Sequence, residues 1–369
     1  MALSIFFAIF FIWAYPLHAW NLCWDTIRCK VDEPMPEWMQ RQIEEDLHPF
    51  KDKGVRKEEI DATIRDVNKI PSGHLASFVR YTIKDNSVSW NSPCDPSDVR
   101  ILHVVEVLQD MATNLGLPDL DFLISLWDSY DNPLFLEKTY CPVFTMCKLK
   151  GNIRGILYPE FRFFDYRRRV FNDIVWTSDR SPWRQKIEKA FWRGMSSGGY
   201  YSEYGWDLMP RSRLVILSKE RSDLLDALFT SSYSLQNQVK GWMESYGLFT
   251  NWNYPVDFVP YKYLIAMDGN TFASNFWWLL LSNCAVLKND SDYNEWFYKG
   301  VEPYVHYVPY RIDLSDFEDK VGWIRSHDAE GKNIAESGAL FAKEHLSNEA
   351  LVAYFYRLLL AYAEMQKYD

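Results

Sequence analysis

Apolar residues recur at helical spacing over residues 36–47 (PEWMQRQIEEDL) and 57–67 (KEEIDATIRDV), with acidic residues near each start, which predicts two surface helices. A β-rich run over 75–82, turn chemistry at Asp85-Asn86-Ser87 and a returning run over 88–90 predict a hairpin. Ser97 is then the expected cap of a helix over 98–115, in which Ile101, Val105, Leu108 and Met111 fall near one face. A short apolar strand over 121–126 follows. It stops just before Asp128, and Asp-Asn-Pro at 131–133 turns the chain away.

The second half alternates more regularly. Strands are expected to end at 191–194 and to cover 263–267, 285–288 and 305–308, with helical stretches around 213–217, 274–281 and 314–325 between them. From 332 to 366 the pattern is nearly all helical, with Ile334, Leu340, Phe341, Leu351, Tyr354, Leu358 and Tyr362 at helical intervals. Short strands separated by helices predict an α/β fold with parallel sheets, whose ligands bind beyond the carboxyl ends of the strands. Asp128 stands at such an end, where an aspartate also serves as a cap or turn former.

Composition narrows the function. At 369 residues, 48% hydrophobic and without a repeat period, the chain has enough apolar material for two cores. A formal net charge of −10 argues against nucleic-acid binding. The 16 Trp within an aromatic content of 17% suit either sugar stacking or large aromatic cores. Residues 3–15 are an apolar run followed by Pro16 and Leu17-His18-Ala19, which reads as a signal peptide over 1–19, with an uncleaved membrane anchor over 2–20 as the alternative. Six Cys agree with an oxidising lumen, because Cys23 with Cys29 and Cys141 with Cys147 are spaced to close small disulfide loops, while Cys284 reads as a core thiol. No Cys or His spacing suggests a metal or redox centre. One sequon, Asn289-Asp290-Ser291, is present, and the final Gln-Lys-Tyr-Asp is not a retention signal, so endoplasmic reticulum, Golgi and secretion stay open.

Two segments carry candidate chemistry. Arg193-Gly194-Met195-Ser196-Ser197-Gly198-Gly199 places an Arg, hydroxyls and Gly after a strand, where they suit a diphosphate. Over 262–288 a strand runs into Asp268-Gly269-Asn270, then Ser274 opens a very apolar helix, a second arrangement suited to phosphates or simply to a capped crossover.

As an ordered set, FWRG at 191–194, PRSRLV at 210–215, KYLIAMDG at 262–269, SNFWWLLLSNCAVLK at 274–288, EWFY at 295–298 and EPYVHYVPYRIDLSD at 302–316 resemble glycosyltransferase family 90, the group of capsule-associated xylosyltransferases and Rumi-type protein O-glucosyltransferases. Weaker matches reach back through YPEFRFFDY at 158–166. The resemblance implies a GT-B architecture of two facing Rossmann-like domains: an acceptor-side domain over 20–180, a nucleotide-sugar domain over 181–350 and a final helix over 351–369 packing back on the first. It also implies inverting transfer, without metal or cofactor, of glucose or xylose from UDP-glucose or UDP-xylose to a hydroxyl of a protein or glycan acceptor. Asp128 would be the base. Arg193, Gly194, Ser196, Arg211, Asp268, Gly269, Ser274, Asn275, Glu295 and His306 would hold the donor, with Glu295 on ribose hydroxyls. His306 reads more readily as a satisfied histidine in a half-buried strand than as a donor contact. The family's usual Arg after Ser274 is Asn275 here, and its usual Arg-Asp-Tyr is Trp127-Asp128-Ser129. Those departures admit an alternative, a lumenal nucleotide- or glycan-binding protein with weakened turnover. A glycoside hydrolase using Asp128 and Asp131 fits poorly, because carboxylates on one loop do not span a sugar.

Overall fold

The computed structural model describes residues 22–70, 78–92, 95, 97–129, 131–161, 164–233 and 237–367. The expected signal or anchor over 1–19 lies outside them. Among the described residues no helix is long and apolar enough to cross a membrane.

The first half contains α1 (Trp24–Asp32), α2 (Glu37–Leu47), α3 (Lys57–Val67), β1 (Phe78–Lys84), β2 (Ser87–Asn91), α4 (Val99–Leu115), β3 (Leu120–Ser125), α5 (Pro133–Leu136), β4 (Val143–Thr145), β5 (Cys147–Leu149), β6 (Gly155–Leu157) and α6 (Phe164–Ser178). The second contains β7 (Ile187–Ser196), α7 (Pro210–Glu220), β8 (Leu225–Ser232), α8 (Asn237–Ser245), β9 (Tyr261–Ala266), α9 (Phe276–Leu281), β10 (Ala285–Asn289), β11 (Tyr293–Glu295), β12 (Val308–Tyr310), α10 (Phe317–Ser326), α11 (Asp328–His345) and α12 (Asn348–Ala363).

In the first sheet the order is β2-β1-β3-β4-β6. Strands β3, β4 and β6 are parallel, but β1 runs antiparallel to both its neighbours, so this half is mixed rather than a purely parallel Rossmann sheet. The hairpin dictates part of this: Asp85 and Asn86 both take positive φ (51° and 59°), the two-residue turn whose twist suits antiparallel strands. The cap of α4 is Asp98, which accepts from Arg100 N, while Ser97 bonds Asp95 instead. Strand β3 is buried along its whole length. Phe122 stacks on Tyr81 and meets Phe144, and Tyr362 of α12 closes edge-on over both Phe122 and Phe144.

All five strands of the second sheet are parallel, in the order β12-β10-β9-β7-β8. The chain runs β7 to β8 outward, then returns to the other side of β7 for β9, β10 and β12. A switch point therefore lies between β7 and β9, with a crevice beyond their carboxyl ends. Helices cover both faces, so β9 and β10 are almost continuously apolar and buried. Phe191, Leu264 and Ala266 join a core that continues into the first sheet and α12; Trp192, Tyr263 and Ile265 face a second core with α7, α10 and α11. The halves are also stitched by main chain: β11 pairs antiparallel with β5, Glu295 opposite Cys147.

Several sequence expectations change. The fourth strand falls at Val308–Tyr310 rather than 305–308, because residues 302–306 form a turn with Tyr304 at φ 60°. Ser274 does not open α9, which starts at Phe276. The five described cysteines are free thiols. Cys141 Sγ lies 3.4 Å from Thr63 Oγ1 and Cys147 Sγ 3.0 Å from the Asp128 carbonyl, so each packs against its own partner rather than the other. Cys23 precedes α1 and Cys29 sits six residues along it, on another face. The sequon fails as a glycan site, since Asn289 is 3% exposed and its amide is engaged with Asp268 N and Asp290 O.

Candidate functional site

At the switch point, β7 ends in Ser196 and the chain turns through Ser197, Gly198 (φ 92°) and Gly199, while β9 runs on into Met267-Asp268-Gly269-Asn270. The two turns nearly touch. A Cβ on Gly198 would lie 3.1 Å from Gly269 O, and one on Gly269 2.9 Å from both Arg211 Nη2 and Ser197 Oγ. Gly198 N donates to Asn270 Oδ1 at 2.9 Å and locks the pair.

Arg211, in the first turn of α7, braces both turns. Its Nε donates to Asp268 O (3.0 Å), Nη2 to Met267 O (2.9 Å), and Nη1 to Met195 O (2.9 Å) and Ser197 Oγ (2.8 Å). Burial pulls its pKa below the usual value, and no ion pair joins it to a carboxylate among the described residues. A half-buried cation balanced mainly by carbonyl dipoles favours an anionic ligand.

Two cavities meet at this point. One of about 250 Å³ is lined by Asp128, Met195, Ser197, Arg211, Tyr233, Gly269, Asn270 and Ser274. The other, of about 320 Å³, shares Met195, Arg211 and Ser274 and adds Arg193, Gly194, Asn253, Asn275 and the rings of Tyr166, Trp192, Trp252 and Trp278. Asp128 reaches the first cavity from the opposite sheet. Its loop is held by Cys147 N donating to Asp128 O at 3.2 Å, and by Asp131, which accepts from Ser129, Leu149 N and Asn152.

Asp128, Arg193, Gly194, Arg211, Gly269, Ser274 and Asn275 thus converge on these cavities. Arg193 is itself paired, Nη2 lying 2.8 Å from Asp226 Oδ1. Ser196, Asp268, Glu295 and His306 line neither cavity. Ser196 Oγ is buried and accepts from Tyr233 N, so the next residue, Ser197, presents the hydroxyl. Asp268 aims its carboxylate at Ser291 Oγ and Lys288. His306 Nδ1 accepts from Glu302 N at 2.9 Å and its ring packs on Phe341. Glu295 is buried on β11 beside Tyr298, Lys288, Glu160 and Arg167; burial, above all, raises its pKa to about 8. Sequence reasoning missed Ser197, Asn270, Tyr233, Asn253 and Trp252. The Gly-rich run at 193–199 contained Ser197 and the turn at 268–270 contained Asn270, but Asn253 and Trp252 sit in a stretch without any phosphate-type pattern.

A wholly parallel sheet with a glycine-turned, cation-bearing crevice at its switch point defines an α/β protein whose crevice suits an anion. The chain belongs to glycosyl transferase family 90, whose sequence profile matches residues 34–369. It is 32% identical over 301 residues to Protein O-glucosyltransferase 2 of Danio rerio, covering 80% of this chain and 57% of that one. It is 31% identical over 351 residues to Protein O-glucosyltransferase 3 of Homo sapiens (92% and 63%) and 25% identical over 342 residues to Protein O-glucosyltransferase 1 of Homo sapiens (89% and 80%). The chain therefore spans less than two thirds of the length of the first two relatives. Among solved structures, Anabaena Alr3699/HepE in complex with UDP-glucose is similar at a TM-score of 0.39 and 9% identity, covering 61% of this chain and 65% of that one, a likeness too slight to bear on function.

Proposed function

We propose that this chain is a glycosyltransferase of GT-B type, moving glucose or xylose from its UDP-sugar to a hydroxyl of a protein or glycan acceptor in the secretory pathway, with inversion and without a metal. The observation that carries the reading is that Asp128, from one sheet, and Arg211 with Ser274, from the other, line a single cavity. Asp128 takes the proton from the acceptor hydroxyl as that oxygen attacks the anomeric carbon; the bond from that carbon to the diphosphate breaks on the opposite face, which inverts the centre. The departing negative charge is met by Arg211, whose position is fixed before reaction by four hydrogen bonds. The aromatic cavity beside it suits the nucleoside end of the donor. The names of the relatives in Danio rerio and Homo sapiens support glucose as donor sugar and protein as acceptor. Arg211's charge, unpaired by any carboxylate among the described residues, supports turnover over the binding-only alternative raised by Asn275.

The test is incubation of the purified chain with UDP-glucose or UDP-xylose and a hydroxyl acceptor in excess EDTA, with NMR of the new anomeric linkage. A β-linked product from either α-linked donor is expected. An α-linked product, turnover that needs added metal, or UDP binding with no turnover of any UDP-sugar overturns the reading.

A further inference from the structure

Asp268, the carboxylate with the largest electrostatic influence on Arg211, does not pair with it. Asp268 meets Arg211 only through its main chain, its carbonyl accepting from Nε at 3.0 Å, while its carboxylate turns to Ser291 and Lys288. There Ser291 Oγ donates to Oδ2, and Lys288 Nζ stands 3.7 Å from Oδ1, an oxygen that is buried and has no hydrogen-bond partner. The backbone is fixed in the same sense, since Asp268 N donates to Asn289 Oδ1 at 2.8 Å.

Lys288 is an unusual group to find there. It belongs to the buried strand β10, its side chain is 5% exposed, and its ammonium sits 4.9 Å from the centroid of Tyr298 and 5.4 Å from that of Phe276. Burial lowers its pKa and Asp268 is the largest influence drawing it back up. A buried ammonium is costly unless a carboxylate faces it, and a carboxylate near a half-buried guanidinium would otherwise be drawn to that partner.

We propose that Lys288 is a positioning residue: it holds the Asp268 carboxylate away from Arg211, leaving Arg211's charge for an anionic ligand, the diphosphate of the donor. Removing the ammonium frees Asp268 to neutralise Arg211 and close the anion site from within. This inference rests on the donor reading above and gives Asp268 a supporting place rather than a direct contact with nucleotide.

Calorimetric titration with UDP tests it. Lys288→Met is expected to weaken UDP binding by about tenfold or more, the scale of one charged hydrogen bond. Adding Asp268→Asn in that background is expected to restore affinity to within about threefold of the unaltered chain, because the competing carboxylate is gone. A merely structural lysine gives the opposite pattern, the second substitution adding damage. Should Lys288→Met fail to fold, Ser291→Ala carries the test, with a smaller loss of affinity that Asp268→Asn again relieves. The inference is overturned if Lys288→Met binds UDP as the unaltered chain does, or if the double variant binds no better than the single one. In the Ser291→Ala series the same two outcomes overturn it. If the unaltered chain binds no UDP, the donor reading itself has failed and takes this inference with it.

Discussion

Cys147 donates its backbone N–H to the Asp128 carbonyl at 3.2 Å and, in the same strand, pairs in register with Glu295 of the other half. The loop that carries the proposed base is thereby tied directly to the strand pair that joins the two sheets. Asp128 owes its place opposite Arg211 to that three-residue pairing, a device too short to leave a hydrophobic pattern in the sequence.

Arg211 acts through geometry as well as charge. Its fork bonds three carbonyls and one hydroxyl on two turns, which an ammonium cannot reproduce. Arg211→Lys is expected to lower UDP affinity by about tenfold or more and to lower the melting temperature as well, measured by calorimetric titration and thermal denaturation.

Glu295 makes stability depend on pH. Its carboxyl holds a proton to about pH 8 in the fold but only to the ordinary glutamate value when unfolded, because burial outweighs the help of Tyr298 and Lys288. The unfolded chain then binds fewer protons than the folded one between those values, so this group makes stability fall as pH rises from about 4.5 to about 8. Glu295→Gln removes that loss. Its melting temperature is expected to match the unaltered protein near pH 4.5 and to exceed it increasingly up to pH 8, with roughly 4 kcal/mol as the upper end of the gain. A constant difference across the range contradicts the assignment.

Glycine position decides the sign of a Gly→Ala change. Gly198 has φ 92° and a Cβ there would press on Gly269 O at 3.1 Å, so Gly198→Ala is expected to cost about 1–2 kcal/mol and to weaken UDP binding. Gly241, inside α8, has nothing within 4 Å of such a Cβ. Gly241→Ala is expected to stabilise by about 0.5–1 kcal/mol without altering binding, as chemical denaturation checks.

The α/β class was legible because the longer elements carry their own signals: the periodicity of α3 and α12, the Asp-Asn turn of the hairpin and the short apolar runs at 263–267 and 284–287 in and beside β9 and β10. Strands β4, β5, β6 and β11, each three residues long, were not legible, since alternation needs more positions to register. Part of the site could be read from the Gly-rich turn and from family resemblance, which led to Asp128, Arg211 and Ser274. Side-chain direction could not. Whether Ser196 or Ser197 presents its hydroxyl depends on the strand's pleat at its last residue, and whether Asp268 turns its carboxylate toward Arg211 or away depends on Lys288, twenty residues away in the next strand. The cysteine spacing misled for a related reason: six residues of separation permit a loop, but Thr63 and the Asp128 carbonyl occupy the thiols instead.

The most direct test of the central claim compares Asp128→Asn with the unaltered chain, measuring turnover of the productive UDP-sugar and, separately, the dissociation constant for UDP. A general base on the acceptor side predicts a fall in turnover of about 10²–10⁴ with UDP affinity unchanged. Retained turnover, or a loss of UDP affinity that matches the loss of rate, would contradict it.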